Sequence, residues 1–210
     1  MFDQIFANTI DTLLKGNVIC LISQPDTYNY LLNDINSERV NSHLQQTGRM
    51  LSTIEKEFFY CSYVSFNPER KKFVKQTVKQ IELELRPIVE FLSLVLRSFN
   101  QEESLYTGDE VRLSNLIGKI ESDKSLQKSL ERLVILSKNK PKENVTDNTK
   151  QIIRYMVNVG ILKQVDATVD IYICTGKLAY MLAFMEFFKA NQLEKFQTLD
   201  LDEPEQEELL

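Results

Sequence analysis

The chain of 210 residues carries one histidine, three cysteines and six glycines, and each scarcity removes a class of function. His43 stands between Ser42 and Leu44, with no second group to pair with it as nucleophile or base. It is read as a surface or half-buried structural residue. Cys20, Cys61 and Cys174 are odd in number, far apart and form no C-x-x-C pair. That excludes a disulfide frame and a zinc knuckle, and it suits a reducing, cytoplasmic compartment. Nowhere do His, Cys and carboxylates cluster at ligand spacing, so no metal or cofactor is expected. Six glycines do not supply a glycine-rich phosphate cradle. The nearest approach, Thr175-Gly176-Lys177, has Ile171 where a phosphate loop requires its first glycine. It also has Leu178 where that loop requires Ser or Thr, so a Walker A site is rejected. An enzyme dependent on metal, nucleotide or a catalytic triad is therefore not expected.

Long apolar runs are missing too. The best candidates, 88–96 (IVEFLSLVL) and 178–188 (LAYMLAFMEFF), are interrupted by Glu90 and Glu186, which argues against a membrane span. Asp3 and Asp11 with no early Lys or Arg argue against a secretory signal.

Charge is present but uneven. The net charge is -5, and the segment 199–210 (LDLDEPEQEELL) holds six carboxylates and no base. The rest of the chain is thus close to neutral. Such a run is usually a solvated, mobile end; its alternative is to dock on, or screen, a basic surface of a partner.

Periodicity supplies the architecture. Residues 146–159 place Ile152, Ile153, Met156 and Val157 on one helical face, with Thr146 or Asp147 as cap and Gly160 as stop. The run 161–165 reads as a strand. In the next strand Val169, Ile171 and Ile173 alternate with Asp170, Tyr172 and Cys174, which gives one buried face. Helices are expected upstream at 109–121, capped by Asp109, and at 122–137, capped by Ser122. This is the grammar of a winged helix. The first third repeats it: helices 2–14, 26–34 and 37–47, a strand at 18–22, and two strands around Glu55-Lys56. Tyr60 follows Gly48 by twelve positions, as Tyr172 follows Gly160. The fold expected is mainly α with small β wings. Its units are winged-helix domains at 1–66 and 105–176, a helical linker at 67–104, a C-terminal helix at 177–198 and an acidic disordered tail at 199–210.

Between the two modules, Asn67 and Pro68 open a helix. There Val74, Val78, Ile81, Leu85, Ile88, Leu92, Val95 and Phe99 repeat at 4-3 spacing, an a/d seam. The seam packs either inside the chain or in a dimer. Pro87 in its middle predicts a kink or a division into two helices. The last helix has one apolar face of Leu178, Met181, Leu182 and Met185 and another of Tyr180, Phe184, Phe187 and Phe188. Such a helix belongs between domains, between protomers or under a partner.

Two kinds of surface remain. Lys138, Lys140, Lys142, Lys150, Arg154 and Lys163 gather around the third helix of the second module. They are candidate contacts for DNA phosphates, or simply solvated lysines. The first module offers Arg39, Arg49 and Lys56 against Glu38, Glu55 and Glu57, a surface better suited to protein. The aromatics Phe58, Tyr60, Tyr63, Tyr172, Tyr180, Phe184, Phe187 and Phe188 are candidates for a partner or dimer surface. A further basic patch, Arg70, Lys71, Lys72, Lys75 and Lys79, opens the long helix; it suits an acidic partner segment, DNA or the acidic tail itself, or serves solubility alone.

The phrases GNVIC (16–20), GRML (48–51), LRPIVEFLSLV (85–95), LYTGDEVRLSNL (105–116) and YICTGKLAYM (172–181), in that order, resemble the MukE/MksE-type subunits of bacterial condensins. The MksE branch is the nearer. Cys174 departs from the alanine expected in the last phrase. The resemblance implies a non-catalytic, dimerising adaptor with no cofactor. Its partners would be a kleisin subunit (MksF/MukF-like) and, through it, an SMC ATPase (MksB/MukB-like), in the cytoplasm on the nucleoid. Its service would be chromosome organisation or plasmid defence. The competing reading is a winged-helix transcriptional regulator bound to a specific operator, against which the acidic pI of 5.1 stands.

Overall fold

Short polar side chains decide where the helices begin. In helix α1 (Gln4–Leu14) the Asp3 carboxylate accepts from the Phe6 amide at 3.1 Å. Helix α2 (Pro25–Leu32) opens on a proline, whose missing N–H is no loss at that position. Helix α3 (Asp34–Gln45) is capped by Asn33. The computed structural model describes residues 3–65, 68–100, 104–166 and 168–190; at 68–71, 73, 74, 77, 166, 169 and 188–190 it describes the backbone alone. The helix start at Asn67, the seam position Val74, the side chain of Phe188 and the tail 199–210 thus lie outside the described part.

In this first half, strand β1 (Ile19–Cys20) pairs with β3 (Phe58–Tyr63), which pairs with β2 (Arg49–Ile54), all antiparallel. Ile10, Leu13, Ile19, Leu31, Val40, Leu44 and Phe59 close one core beneath this sheet. The β2–β3 hairpin turns through Glu55 and Lys56, both at positive φ (50° and 58°) without a glycine. That is a strained choice for a two-residue turn. It is held from outside: Tyr28 Oη donates to the Lys56 carbonyl at 2.8 Å, and Lys56 Nζ lies 3.5 Å from Asp34.

Helix α4 (Pro68–Phe99) follows. It runs through Pro87 undivided, where the sequence predicted a kink or a division. Pro87 is buried, while Leu83, whose carbonyl loses its helical donor, is exposed to water. From Ile81 onward the a/d seam is filled inside the chain. Ile81, Ile88, Leu92 and Val95 are buried, with Leu85 and Phe99 packed against them. This half of α4 is therefore part of the second core. Arg132 pairs with Glu90, and Arg97 donates to Ser125 and Ser129, tying α4 to α6 (Lys124–Leu136).

The second half repeats the sheet order. Strand β4 (Glu110–Arg112) pairs with β6 (Val169–Cys174), which pairs with β5 (Leu162–Asp166). Helices α5 (Leu113–Glu121), α6 and α7 (Val145–Asn158) lie between β4 and β5. β4 takes the first turn of the helix predicted at 109–121, since one apolar residue between Glu110 and Arg112 carries no strand periodicity. The caps shift as well. Asp123, not Ser122, accepts from the Ser125 and Leu126 amides, and Asn144 accepts from Asp147 N at 2.7 Å. In β6 the fully buried side chains are Tyr172 and Cys174, while Ile171 and Ile173 are only half-buried. The alternation survives, but the Tyr172 and Cys174 set takes the core side: both sets carry apolar or aromatic side chains, so the period alone does not say which faces inward.

Helix α8 (Gly176–Ala190) closes the described chain. Leu178 and Met181 enter the second core. Its other face meets the first sheet, where Val18, Cys20 and Phe58 pack with Tyr60, Ala179 and Tyr180. The chain is thus mainly helical, with two small antiparallel sheets joined through α4 and α8.

Candidate functional site

The phrase that imitated a phosphate loop turns out to join the two halves. Thr175 is 2 % exposed, and its hydroxyl donates to the Gly160 carbonyl at 2.5 Å and accepts from Lys177 N at 3.2 Å. That caps α8 and pins it to the turn that ends α7. Gly160, at φ 79°, closes α7 with paired reversed bonds: its own N–H to Val157 O, and Ile161 N to Met156 O. Gly176 lies on the first half's β1 and donates its N–H to Cys20 Sγ at 3.1 Å. Lys177 reaches back to Glu84 of α4 at 3.3 Å, in a pair about three-quarters shielded from water. Lys163 adds a further tie, donating to the carbonyls of Ile22 (2.7 Å) and Ser23 (3.4 Å). Burial, then the nearby Asp109 charge, pushes the Cys174 thiol up to about 12, so it remains a protonated apolar filler.

These ties hold α7 and the loop before it in a fixed frame. The loop starts where α6 ends, on Lys138 at φ 59°. The bonds Lys138 N to Ile135 O and Asn139 N to Val134 O complete the turn. Asn148, 4 % exposed, then clamps the loop from α7: its Oδ1 accepts from Lys142 N at 2.7 Å and its Nδ2 donates to Lys142 O at 3.0 Å. On α7, Asp147, Lys150, Arg154 and Asn158 recur at helical spacing and are exposed, with the half-buried Gln151 beside them. Between loop and helix lies an open cleft of about 630 Å³, with Lys142, Lys150 and Arg154 on its wall together with Ser137, Asn139 and Gln151. Gln151 Oε1 is buried there without a hydrogen-bond partner among the described residues.

Of the six candidate phosphate contacts, then, three line one cleft. Lys138 and Lys140 stand exposed on the clamped loop at its edge. Lys163 is separate, with its ammonium given to the first half. Gln151 and Asn158 escaped the sequence reading, although the spacing from Lys150 carries them. The Asn148 clamp had no sequence signal, because it joins a loop and a helix through one buried amide.

The cations of the first half are engaged differently. Arg39 pairs with Asp3 at 2.6 Å and stacks over Phe6 at 4.2 Å, and Arg49 lies over Tyr63 at 5.6 Å. The Phe6 amide, then Arg39, holds the Asp3 carboxyl below the usual carboxylate range. Phe6 also meets His43 edge-on at 5.6 Å, which places the one histidine in a half-buried packing role.

The candidate partner aromatics divide. Phe58 (1 % exposed) and Tyr172 (8 %) are core residues, so neither presents a ring to another chain in this structure. Tyr60, Tyr180 and Phe184 form a ladder with Phe58, with centroids 5.2 to 6.4 Å apart, along the seam between the halves. Tyr63 borders a second cleft of about 590 Å³ between α1, β3, α4 and α8. Phe187, toward the end of α8, is 54 % exposed. Among the described residues no group of His, Cys, Asp and Glu is placed to hold a metal ion, and no helix is long and apolar enough to cross a membrane.

The sequence model of one protein family, described as condensin complex protein MksE, matches residues 4–190. No curated protein matches the chain. The match spans both sheets, α4 and all described turns of α8, and the chain belongs to this family of condensin complex proteins.

Proposed function

We propose that the chain is a non-catalytic subunit of a bacterial SMC/condensin-like (Muk/Mks) complex. In this reading each sheet with its helices is a winged helix. The chain dimerises, binds the kleisin subunit and, through it, joins the SMC ATPase. It contacts DNA at the cleft between α7 and the loop 138–142 without reading sequence. The observation that carries this reading is the family match over 4–190. Two features of the chain support the finer parts. One is a cleft with three cations on its wall, on a helix whose C-terminal turn is pinned by Thr175 at the start of α8. The other is the ring of Phe187, 54 % exposed toward the end of α8.

Lysines and arginine gathered on one side of a helix bind phosphates by releasing counterions, and that contact is sequence-independent. Three to five such contacts give an apparent salt slope of about -2.7 to -4.5 and a non-specific Kd on the order of 10⁻⁴ to 10⁻⁶ M. Chromosome organisation and plasmid defence both fit a complex of this kind.

The test is co-expression with a kleisin subunit from the same genome, followed by size exclusion. Co-elution as a complex containing two copies of this chain is expected. Separate elution of the two proteins would sink the adaptor reading. A second reading, a transcriptional regulator, is favoured by Lys150, Gln151, Arg154 and Asn158, whose side chains suit base edges in a major groove. It requires one operator to be bound several kcal/mol more tightly than bulk DNA.

A further inference from the structure

The cleft on α7 has a candidate occupant in the chain itself. We propose that the acidic segment 199–210 docks in this cleft and competes there with nucleic acid. The proposal rests on the reading of the cleft as a phosphate site. Four observations carry it.

Charge is the first. From 138 to 154 the loop and helix hold Lys138, Lys140, Lys142, Lys150 and Arg154 against Glu143 and Asp147. The segment 199–210 holds Asp200, Asp202, Glu203, Glu205, Glu207 and Glu208 with no base.

The second is the orphan acceptor. Gln151 Oε1 is buried in the cleft wall and receives no hydrogen bond among the described residues. An ionised phosphate has no proton to give it. A peptide does, because every residue except proline brings a backbone N–H. Carboxylates for Lys142, Lys150 and Arg154 and an N–H for Gln151 together describe an acidic peptide.

Shape is the third. The other basic patch described, Lys72, Lys75 and Lys79, lies exposed along α4, and none of the three lines the neighbouring cleft. The α7 cleft is concave and its walls are fixed by the Asn148 clamp.

Reach is the fourth. Nine residues, 191–199, separate Ala190, the last described residue of α8, from Asp200, the first acidic residue of the segment; a fully extended chain covers about 3.3–3.6 Å per residue, so at most roughly 30 Å is available. Tethering then gives an effective concentration on the order of 1 mM. A docking affinity on the order of 0.1 mM would keep the cleft about nine-tenths filled and lower the apparent DNA affinity about tenfold.

Two measurements on the full chain test this. Zero-length carbodiimide crosslinking with mass spectrometry should join carboxylates of 200–208 to Lys138, Lys140, Lys142 or Lys150. Links only to Lys72, Lys75 or Lys79, or none to the loop and α7, would overturn the proposal. Fluorescence anisotropy with a random-sequence duplex should then compare the full chain with a chain lacking 199–210. A second variant carries Asn and Gln in place of the six carboxylates. Both should bind DNA about tenfold more tightly at 50 mM salt, with the difference fading as salt rises. Equal binding by all three overturns the competition. If the crosslinks form and none of the three binds DNA, the docking stands and the phosphate reading of the cleft falls instead.

Discussion

Gly176 sits so close to Cys20 that a Cβ on the glycine would lie 2.6 Å from the Cβ of the cysteine, and 3.2 Å from that of Phe58. Only a residue without a side chain lets α8 reach β1 here, and the two halves meet at that point. Gly176→Ala is expected to force them apart, with a loss of about 1–3 kcal/mol in denaturant unfolding. Cys20→Gly in the same chain should restore part of it, because it removes the nearest atom. An alanine variant as stable as the parent would show that the seam is looser than drawn.

Charge removal on α7 should act on nucleic acid and spare the fold. Lys150 and Arg154 are exposed and take no part in the ties that hold α7. Lys150→Gln and Arg154→Gln should each weaken non-specific DNA binding and lower the salt slope by about 1. Lys163→Gln should instead loosen the junction with Ile22 and Ser23, so its main effect falls on thermal stability. Anisotropy titrations across a salt series, beside melting curves, separate the two.

Lys138 occupies a helix C-terminal position at φ 59°, where glycine is at ease and a side chain costs about 1 kcal/mol. Lys138→Gly should therefore raise stability by up to that amount while weakening DNA contact, because it also removes a cation. Stability and binding would move in opposite directions. A melting temperature that falls with the substitution counts against the strained turn.

Alkali should destabilise the fold through Cys174. Its thiol is raised from 9.0 to about 12 by burial and by Asp109. The folded state then keeps a proton that the unfolded state gives up, so stability falls as pH rises from about 9 toward 12. Burial raises Tyr172 and Tyr180 in the same direction. Unfolding at pH 8 and pH 10 should show the loss, and Cys174→Ala should lessen its slope. In native protein the thiol should resist alkylation, whereas a rapid reaction at pH 8 would contradict its burial.

Acid acts at the other end of the chain. The Phe6 amide and then Arg39 lower the Asp3 carboxyl, so its contribution is present above the ordinary carboxylate pKa and is lost as pH falls through the folded value. Asp3→Asn should weaken the start of α1, as seen in amide exchange of Phe6 and Ala7, and should do so less at pH 3 than at pH 7.

Much of the helical frame was legible in the sequence, because 3.6-residue periodicity and stop glycines are local signals. Gly160 ends α7 where its position said, and the hairpin turns at Glu55-Lys56 as the flanking alternation implied. The seam from Ile81 to Phe99 was legible as a stripe, yet its partner was not. Packing inside the chain and packing in a dimer bury the same residues, and only the fold chose α6. β4 and the core side of β6 were illegible for different reasons: a strand of three residues loses the two-residue period, and in β6 both alternating sets hold apolar or aromatic residues, so the period did not say which set faces the core. The lysines of the α7 cleft could be counted from the sequence. Their concave arrangement depends on Asn148, and that bond exists only once loop and helix have met.

The sequence alone determined most of the helices and the β2–β3 and β5–β6 strands, the scarcity of catalytic groups and the separation of charge between body and tail, since composition and near-neighbour spacing set all three. The tertiary structure decided what Thr175-Gly176-Lys177 is for. Its hydroxyl, its bare α-carbon and its ammonium find Gly160, Cys20 and Glu84, which lie 15, 156 and 93 residues away. Contacts at such separations arise from packing and leave no local trace in the chain.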